Sequence, residues 1–501
     1  MSGSDPFPWL TTLLALPLLG TLLCLVCFRR PGVCKWIALG TTLGVLLITA
    51  GQFTFLHHFG TDWLQYEDHP WIDSLGIRYT LGLDGISLLL VLLTGLLQLV
   101  AVVISWHRKR YVAFFFALLQ VMEAGIMGVF LSLDLVLFYL FWEAMLIPMF
   151  FLIGIWGHHR RVYAAVKFFL FTFAGSLLML LAIIGLYFLH GSQTGTYTFA
   201  LAALQATDIP SGLAPWLFAA FMLSFAVKAP LVPLHTWLPD AHTEAPTAGS
   251  LDLAGLLLKT GVYGMLRVAF PLFPAETQAV FPFLAFLALV GIFYAAWAAY
   301  AQQDIKRLVA YSSVAHVGFI ILGLCAWNTI ALEGSILQLF NHGITTGALF
   351  TMIGMLQHRT GTRRMDELGG LWARMPLLSA FFLFFSLAGL GLPGLNNFAG
   401  EILILLGTFR TNPLWGALAM CGVVFAAAYM LKLVRGVVWG APRVEEKLPD
   451  MTMREGLMLV PLAVMVLWLG VYPDAFLSQI QEPVRMLLEG TPFAIMKGGM
   501  P

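Results

Sequence analysis

Charge is what this chain lacks most. Only 11% of its 501 residues are Asp, Glu, Lys or Arg, against about 25% in ordinary soluble domains. So little polar surface excludes a water-soluble fold. The formal net charge is +1 with no basic domain, which leaves nucleic acid without a handle. Cysteine is scarce too: the five, at positions 24, 27, 34, 325 and 421, imply no disulfide framework. Cys24 and Cys27 spell CxxC, but inside an apolar run without a strand beside it, so lipid-facing packing is expected rather than a redox or metal pair. Long polar stretches are also missing, which leaves no room for a soluble catalytic domain.

Apolar residues are what the chain has, 59% of the total with a mean hydropathy of +0.86. Runs of about 20 apolar residues, each long enough to cross a hydrocarbon core, recur from end to end. Backbone groups in lipid must be satisfied within the segment, so the spans are helices. The expected fold is an all-α integral membrane protein of about fourteen spans, at 7–28, 36–56, 81–106, 113–133, 135–156, 165–189, 213–236, 247–270, 277–300, 304–326, 331–356, 376–409, 414–438 and 455–472. The first run, WLTTLLALPLLGTLLCLVCF, has no basic flank before it and no small-residue cleavage site after it, and reads as a span rather than a removed signal peptide.

Charge supports this count independently. Twenty of the 27 Lys and Arg fall in loops after odd-numbered spans, among them Lys306, and five (Arg78, Arg267, Arg410, Arg485, Lys497) fall on the other side. That asymmetry places both termini on the outer face of the membrane, which would be the periplasmic side if the membrane is a bacterial inner membrane. Two basic residues belong to neither set: Lys228 and Lys259 lie inside spans.

Spans 4–8 and 9–13 read as two five-helix units, and an odd number of spans turns the second upside down relative to the first. In each, the fourth member is interrupted, by KAPLVP (Pro230, Pro233) in span 7 and by GLGLPG (Pro393) in span 12. Paired interruptions in inverted halves point to an ion site. The expected divisions are residues 1–111 (three helices and an outer loop), 112–271 (first repeat), 272–440 (second repeat) and 441–501 (a last helix and an amphipathic tail). The outer loop, 57–82, has the alternation of a short hairpin, and the tail PDAFLSQIQEPVRMLLEG has the pattern of a helix lying along a membrane surface.

Ionisable side chains inside a span cost about 2.5–3.5 kcal/mol on insertion scales and are functional candidates by default. Glu143, in FYLFWEAMLIPM, lies near mid-span with Tyr139 one turn earlier. Lys228 closes the first half of span 7, where carbonyls freed by the prolines could solvate its ammonium, and Glu143 is its expected partner. Lys259 is too deep to reach the interface by extension, with Asp252 two helical turns earlier as a possible counter-charge. His316 and His342 are expected to be the only well-buried imidazoles. Polar neighbours flank both: Ser312 and Ser313, and Gln338, Asn341 and Thr345. Glu401 follows Asn396, Asn397 and Gly400 at the start of a half-helix, where the dipole favours a carboxylate. Glu123 and Asp84 read equally well as supporting acids and as hydrogen-bonding groups. Glu143, Lys228, Lys259, His316, His342 and Glu401 together are a series of acids and bases on successive helices, which suits proton relay.

Some patterns mislead. Gly389, Gly391 and Gly394 spell GxGxxG, but with Pro393 among them and no preceding strand they mark a helix break. The pairs His57/His58 and His158/His159 have no cysteine or carboxylate cluster to favour zinc.

PLHTWLPDAHTEAPTAGSLDLAGLLLKTGVYG, FWEAMLIPMFFLIGIWG, DIKRLVAYSSVAHVGF and GLPGLNNFAGE resemble the antiporter-like membrane subunits of bacterial NADH-quinone oxidoreductase, respiratory complex I. The likeness covers essentially the whole chain. Lys at 259 and Glu at 401 look like the M type, whereas L and N relatives carry Lys in place of Glu401. The resemblance implies a proton-translocating subunit with Glu143 and Lys228 as a switching pair, Lys259 as the central connection, His316 and His342 along a hydrated axis, and Glu401 serving the outward half-channel. It further implies no cofactor or metal in this chain, with flavin, iron-sulfur clusters and quinone in other subunits. L-type and N-type neighbours and membrane lipid are the implied partners. A subunit of a related cation/proton antiporter or membrane-bound hydrogenase, or a structural spacer, are the competing readings.

Overall fold

A computed structural model describes residues 7–55, 63–441 and 448–490. His57, His58, Arg443, Lys447 and Lys497 fall outside the described residues. The first two helices, α1 (Trp9–Val26) and α2 (Pro31–Phe55), lead to a hairpin of β1 (Gln65–Ile72) and β2 (Ile77–Leu83). The hairpin is antiparallel, with Gln65 opposite Leu83 and a bulge between Pro70 and Ile72. Glu67 of β1 ties it to the first helix by accepting from the Leu10 N–H at 2.7 Å and the Thr11 N–H at 3.1 Å. Then follow α3 (Gly85–Ile104), α4 (Val112–Leu131), α5 (Leu135–Ala144), α6 (Leu146–Trp156), α7 (Arg161–Thr194) and the short α8 (Leu201–Gln205).

The first broken helix is α9 (Ala214–Lys228) and α10 (Trp237–Glu244). Pro230 and Pro233 lie in the turn between them; each lacks an N–H, so the backbone ladder cannot run through. The second half ends at Glu244, beyond the expected end at 236. The next span, Thr247–Leu272, is not one regular helix. Its α11 (Thr247–Asp252), α12 (Leu258–Gly264) and α13 (Phe270–Leu272) are separated by wide π-helical turns at Leu253–Leu257 and Met265–Ala269. Such turns gather at functional sites.

The remaining helices are α14 (Pro274–Ala301), α15 (Ile305–Ala326), α16 (Thr329–Thr360), the broken pair α17 (Pro376–Leu390) and α18 (Asn396–Thr411), then α19 (Pro413–Val437), α20 (Met453–Val471) and α21 (Asp474–Gly490). Twelve spans among the described residues are long and apolar enough to cross a membrane, and α9 and α17 are shorter apolar helices. Helix starts follow side-chain chemistry. Asp134, Asp304, Asn328 and Asn412 each accept from first-turn N–H groups, while Asp84 with Ser87 and Thr452 with Glu455 form reciprocal capping boxes.

Burial divides the helices in two. The 247–272 span, α15 and α16 are 94% buried within the chain, whereas α2 and α20 are only 28% buried and turn apolar faces outward. The tail helix α21 packs on α3 and α16, with Phe476 against Phe53 and Phe340. Its apolar face is thus covered by the chain itself. Cys24 corrects an expectation: it is fully buried, its thiol 3.5 Å from the Cys34 carbonyl oxygen in the α1–α2 seam, because the helical turn of α1 carries it to the inner face.

Candidate functional site

The three most buried spans carry the densest polar chemistry. Lys259 sits on α12 between the two π-turns. Its Nζ donates to the carbonyl of Ala254, in the first π-turn, and lies 2.7 Å from His342 Nδ1 on α16. A charged lysine has only protons to give, so Nδ1 accepts and the ring proton rests on Nε2; an uncharged lysine accepts instead. The same contact therefore serves both directions of proton exchange. Close backbone approach makes it possible: a Cβ on Gly343 would stand 3.0 Å from the Gly255 carbonyl oxygen and 2.6 Å from Leu93.

The His342 ring centroid is 5.4 Å from that of His316 on α15. His316 Nδ1 is in turn 3.1 Å from Glu401 Oε1 on α18, a close contact that lacks hydrogen-bond alignment. Gln338 Nε2 donates to the same carboxylate oxygen at 3.1 Å. The start of α18 is pinned to α16: Asn341 Nδ2 donates to the Asn396 carbonyl at 2.6 Å, Asn396 Nδ2 returns to the Asn341 carbonyl at 3.0 Å, and Thr345 Oγ1 donates to Asn396 Oδ1 at 3.1 Å. Gly391, at φ +81°, turns the chain out of α17; a Cβ there would meet Glu401 Oε2 at 2.6 Å. Four of the six sequence candidates thus meet in one buried line.

Glu143 and Lys228 form a separate station. Glu143, near the end of α5, is half-buried beside Ser176 of α7, which also faces Tyr139. The helix is interrupted at Met145, two residues further on, where Pro148 cannot donate to the Ala144 carbonyl four residues before it. Lys228 is buried at the last residue of α9, and its Nζ has no hydrogen-bond partner. It stands 4.5 Å from the centroid of the Trp142 ring, a cation–π contact. No ion pair joins Lys228 to Glu143 in this conformation; the indole next in sequence to the acid occupies the contact.

Asp252 does not reach Lys259. The π-turn between them widens the helix, so seven residues no longer return to the same face, and Asp252 turns instead toward Gln98 of α3 and Glu123 of α4. Asp84 is a structural group: one carboxylate oxygen accepts from Ser87 N at 2.9 Å and the other takes a close ion pair from Arg267. Arg267 is therefore not a free outer-loop charge.

Sequence reasoning missed three buried groups. His242 on α10 is fully buried, stacked on Phe350 with ring centroids 4.7 Å apart, and lies within electrostatic reach of Lys306 and Lys259. His235 is also buried, so His316 and His342 are not the only interior imidazoles. Lys306, counted with the loop charges, is buried in the first turn of α15 and donates to the Ala245 carbonyl at 2.6 Å. The available signal was PDAHTEAP itself, whose polarity resembles a loop although it forms the second half of a broken helix. Outside the spans, burial with the positive Lys306 and Arg363 nearby pushes His158 down to about 4.

A bundle of this kind, with broken helices and ionisable groups meeting at its centre, is that of a membrane ion-translocating protein. Residues 132–426 match the membrane family described as NADH:quinone oxidoreductase/Mrp antiporter, and the chain belongs to that family. It is 44% identical over 486 residues to NADH-quinone oxidoreductase subunit M of Pseudomonas aeruginosa, covering 94% of this chain and 95% of that one. Among solved structures it resembles a chain of respiratory complex I from Thermus thermophilus, with a TM-score of 0.88 and 31% identity over 96% of this chain and 99% of that chain. A chain of the Mrp complex from Dietzia sp. DQ12-45-1b has a TM-score of 0.84 at 20% identity, over 97% and 99% of the two chains, a likeness of fold alone.

Proposed function

We infer that this chain is a proton-translocating, membrane-arm subunit of an NADH-quinone oxidoreductase, moving protons while NADH oxidation and quinone reduction proceed in other subunits. One observation carries the reading: Lys259, His342, His316 and Glu401, drawn from four helices, stand side by side as a line of proton-exchanging groups inside an apolar bundle. A histidine accepts a proton on one ring nitrogen and releases one from the other, so two imidazoles between a lysine and a carboxylate form a relay. Family membership supports the same reading.

Within it, Lys259 is the central connection and Glu401 the outward station. Glu143 and Lys228 are the switching pair: moving the Trp142 ring aside would let ammonium and carboxylate meet, and parting them again makes the lysine a better proton donor. Tyr139 and Ser176 orient Glu143, and Asp252 and Glu123 lie to one side. The breaks at Pro230, Pro233 and Pro393 interrupt the backbone ladder beside the buried ionisable groups. Residues 112–271 and 272–440 are the two inverted repeats, between an N-terminal unit at 1–111 and a C-terminal unit at 441–501. Flavin, iron-sulfur clusters and quinone belong to other subunits, with none in this chain, and its neighbours are L-type and N-type membrane subunits. The charge asymmetry supports a bacterial inner membrane with both termini periplasmic.

The test is the intact complex in proteoliposomes, with protons moved per NADH oxidised read from a pH-sensitive dye. Lys259→Met and Glu401→Gln are expected to lower that ratio severely in assembled complex. An unchanged ratio in both would overturn the reading in favour of a structural spacer.

A further inference from the structure

The relay leaves one polar cluster unused. Glu123 of α4, Asp252 of α11 and Gln98 of α3 are each 0% exposed. All four carboxylate oxygens and both polar atoms of the Gln98 amide lack a hydrogen-bond partner. Such groups in a native interior are ordinarily satisfied, by protein or by ordered water. Among the described residues no lysine, arginine or histidine faces them: Asp252 is the one ionisable group acting on Glu123, and Gln98 is the polar group acting on Asp252. The nearest cation along the chain, Lys259, is turned away by the π-turn and engaged with Ala254 and His342.

Two carboxyls within electrostatic reach of each other in an apolar bundle, with no counter-cation, do not both ionise; burial and like charge leave at least one of them protonated. A protonated carboxyl becomes a donor, and the Gln98 amide offers both an acceptor and donors to complete the set. The orphaned atoms thus describe a site whose missing partners are protons. Its position ties it to the relay, because Asp252 is the last residue before the π-turn whose Ala254 carbonyl holds Lys259.

We propose that Glu123 and Asp252 are a second protonation site beside the relay: a carboxyl pair, bridged by Gln98, that always keeps one proton and exchanges a second with water as Lys259 changes charge. When Lys259 becomes an ammonium, one O–H of the pair breaks and its proton passes to a water molecule, leaving a carboxylate. When Lys259 hands its proton to His342, the carboxylate takes a proton back from water. The charge near the first π-turn therefore stays nearly constant through the cycle, and Lys259 can exchange protons without an uncompensated charge building up in the bundle. The proposal rests on the reading of Lys259 as part of the proton route.

The experiment is difference infrared spectroscopy of the intact complex in proteoliposomes, in H2O and D2O, before and during NADH oxidation. A protonated-carboxyl C=O band that shifts on deuteration and changes on turnover is expected in the wild type; its turnover change is lost in Glu123→Gln and in Asp252→Asn, where the remaining acid stays protonated, and the band is displaced in Gln98→Leu. In Lys259→Met the band should persist but stop changing on turnover. A band whose turnover change survives in both carboxyl variants overturns the proposal, as does one that still changes on turnover in Lys259→Met. If either carboxyl variant fails to assemble, Gln98→Leu decides, since it leaves both acids in place; an undisplaced band there overturns the pair. Lys259→Met with a normal proton ratio instead sinks the proton-route reading, a result distinct from loss or persistence of the carboxyl band.

Discussion

Two stations carry the buried charges, and they are built on opposite principles. Around Lys259 each group stands beside the next: Nζ is 2.7 Å from His342, the imidazole centroids are 5.4 Å apart, and His316 is 3.1 Å from Glu401, with a hydrogen bond at the lysine end and none at either His316 nitrogen. Around Lys228 nothing polar touches the ammonium, which rests on the Trp142 ring 4.5 Å away, with Glu143 nearby but unpaired. A line of neighbouring groups conducts in place, whereas an unpaired buried charge has a strong incentive to move or to shed its proton. The difference suits a fixed relay at one site and a switch at the other, and it assigns opposite signs to the same type of substitution.

The largest effect tests the line. Lys259→Met should lower proton translocation by about a hundredfold, the lower end of what general acid–base groups contribute, while assembled complex still oxidises NADH. Glu401→Gln comes next: it keeps the shape and a polar contact with Gln338 but removes the terminal carboxylate, and a several-fold loss in the same assay is expected. Stability then separates the stations. Lys228→Met removes a buried charge without a partner and should raise the thermal midpoint while pumping falls. Lys259→Met strands the Ala254 carbonyl and His342 Nδ1, an unsatisfied-group cost of about 1–3 kcal/mol, and should lower the midpoint. Equal shifts from the two lysine variants would erase the comparison.

Two smaller predictions sharpen it. Gly391→Ala places a methyl group 2.6 Å from Glu401 Oε2 at φ +81° and should cost about 1–3 kcal/mol through strain at that φ, with Glu401 displaced from His316. The smallest effect lies outside the bundle. His158 is held down to about 4 against an unperturbed 6.5, so between these values the unfolded chain binds more protons than the folded one. Its contribution falls as pH drops from about 6.5 toward 4 and is level below that. His158→Gln should flatten this part of the stability–pH curve and leave translocation unchanged.

The lysines inside the spans were legible at once, because Lys228 and Lys259 were the two basic residues that no loop claimed. The breaks after Lys228 and Leu390 were legible too, since proline and glycine act locally. The break at Met145 had a signal that the continuous span at 135–156 passed over: Pro148 lacks the N–H that would reach the Ala144 carbonyl. The π-turn at Leu253–Leu257 was silent: LAGLL fits an ordinary helix, and only its packing against Gly343 shows the wider turn. That turn moved Asp252 from Lys259 to Glu123. Lys306 and His242 were misplaced because loop-like polarity says nothing about whether another helix covers it.

What this sequence decides by itself is what composition and local chemistry decide: a helical membrane protein, its spans, where proline and glycine interrupt them, and which ionisable groups are left inside. These follow from the cost of exposing backbone and charge to hydrocarbon, which is paid residue by residue. Which of those groups meet was settled only by tertiary structure. Lys259 lies 83 residues from His342, and contacts over such a separation depend on helix phase, backbone approach at Gly255 and Gly343, and one widened turn, none of which is written in any local stretch.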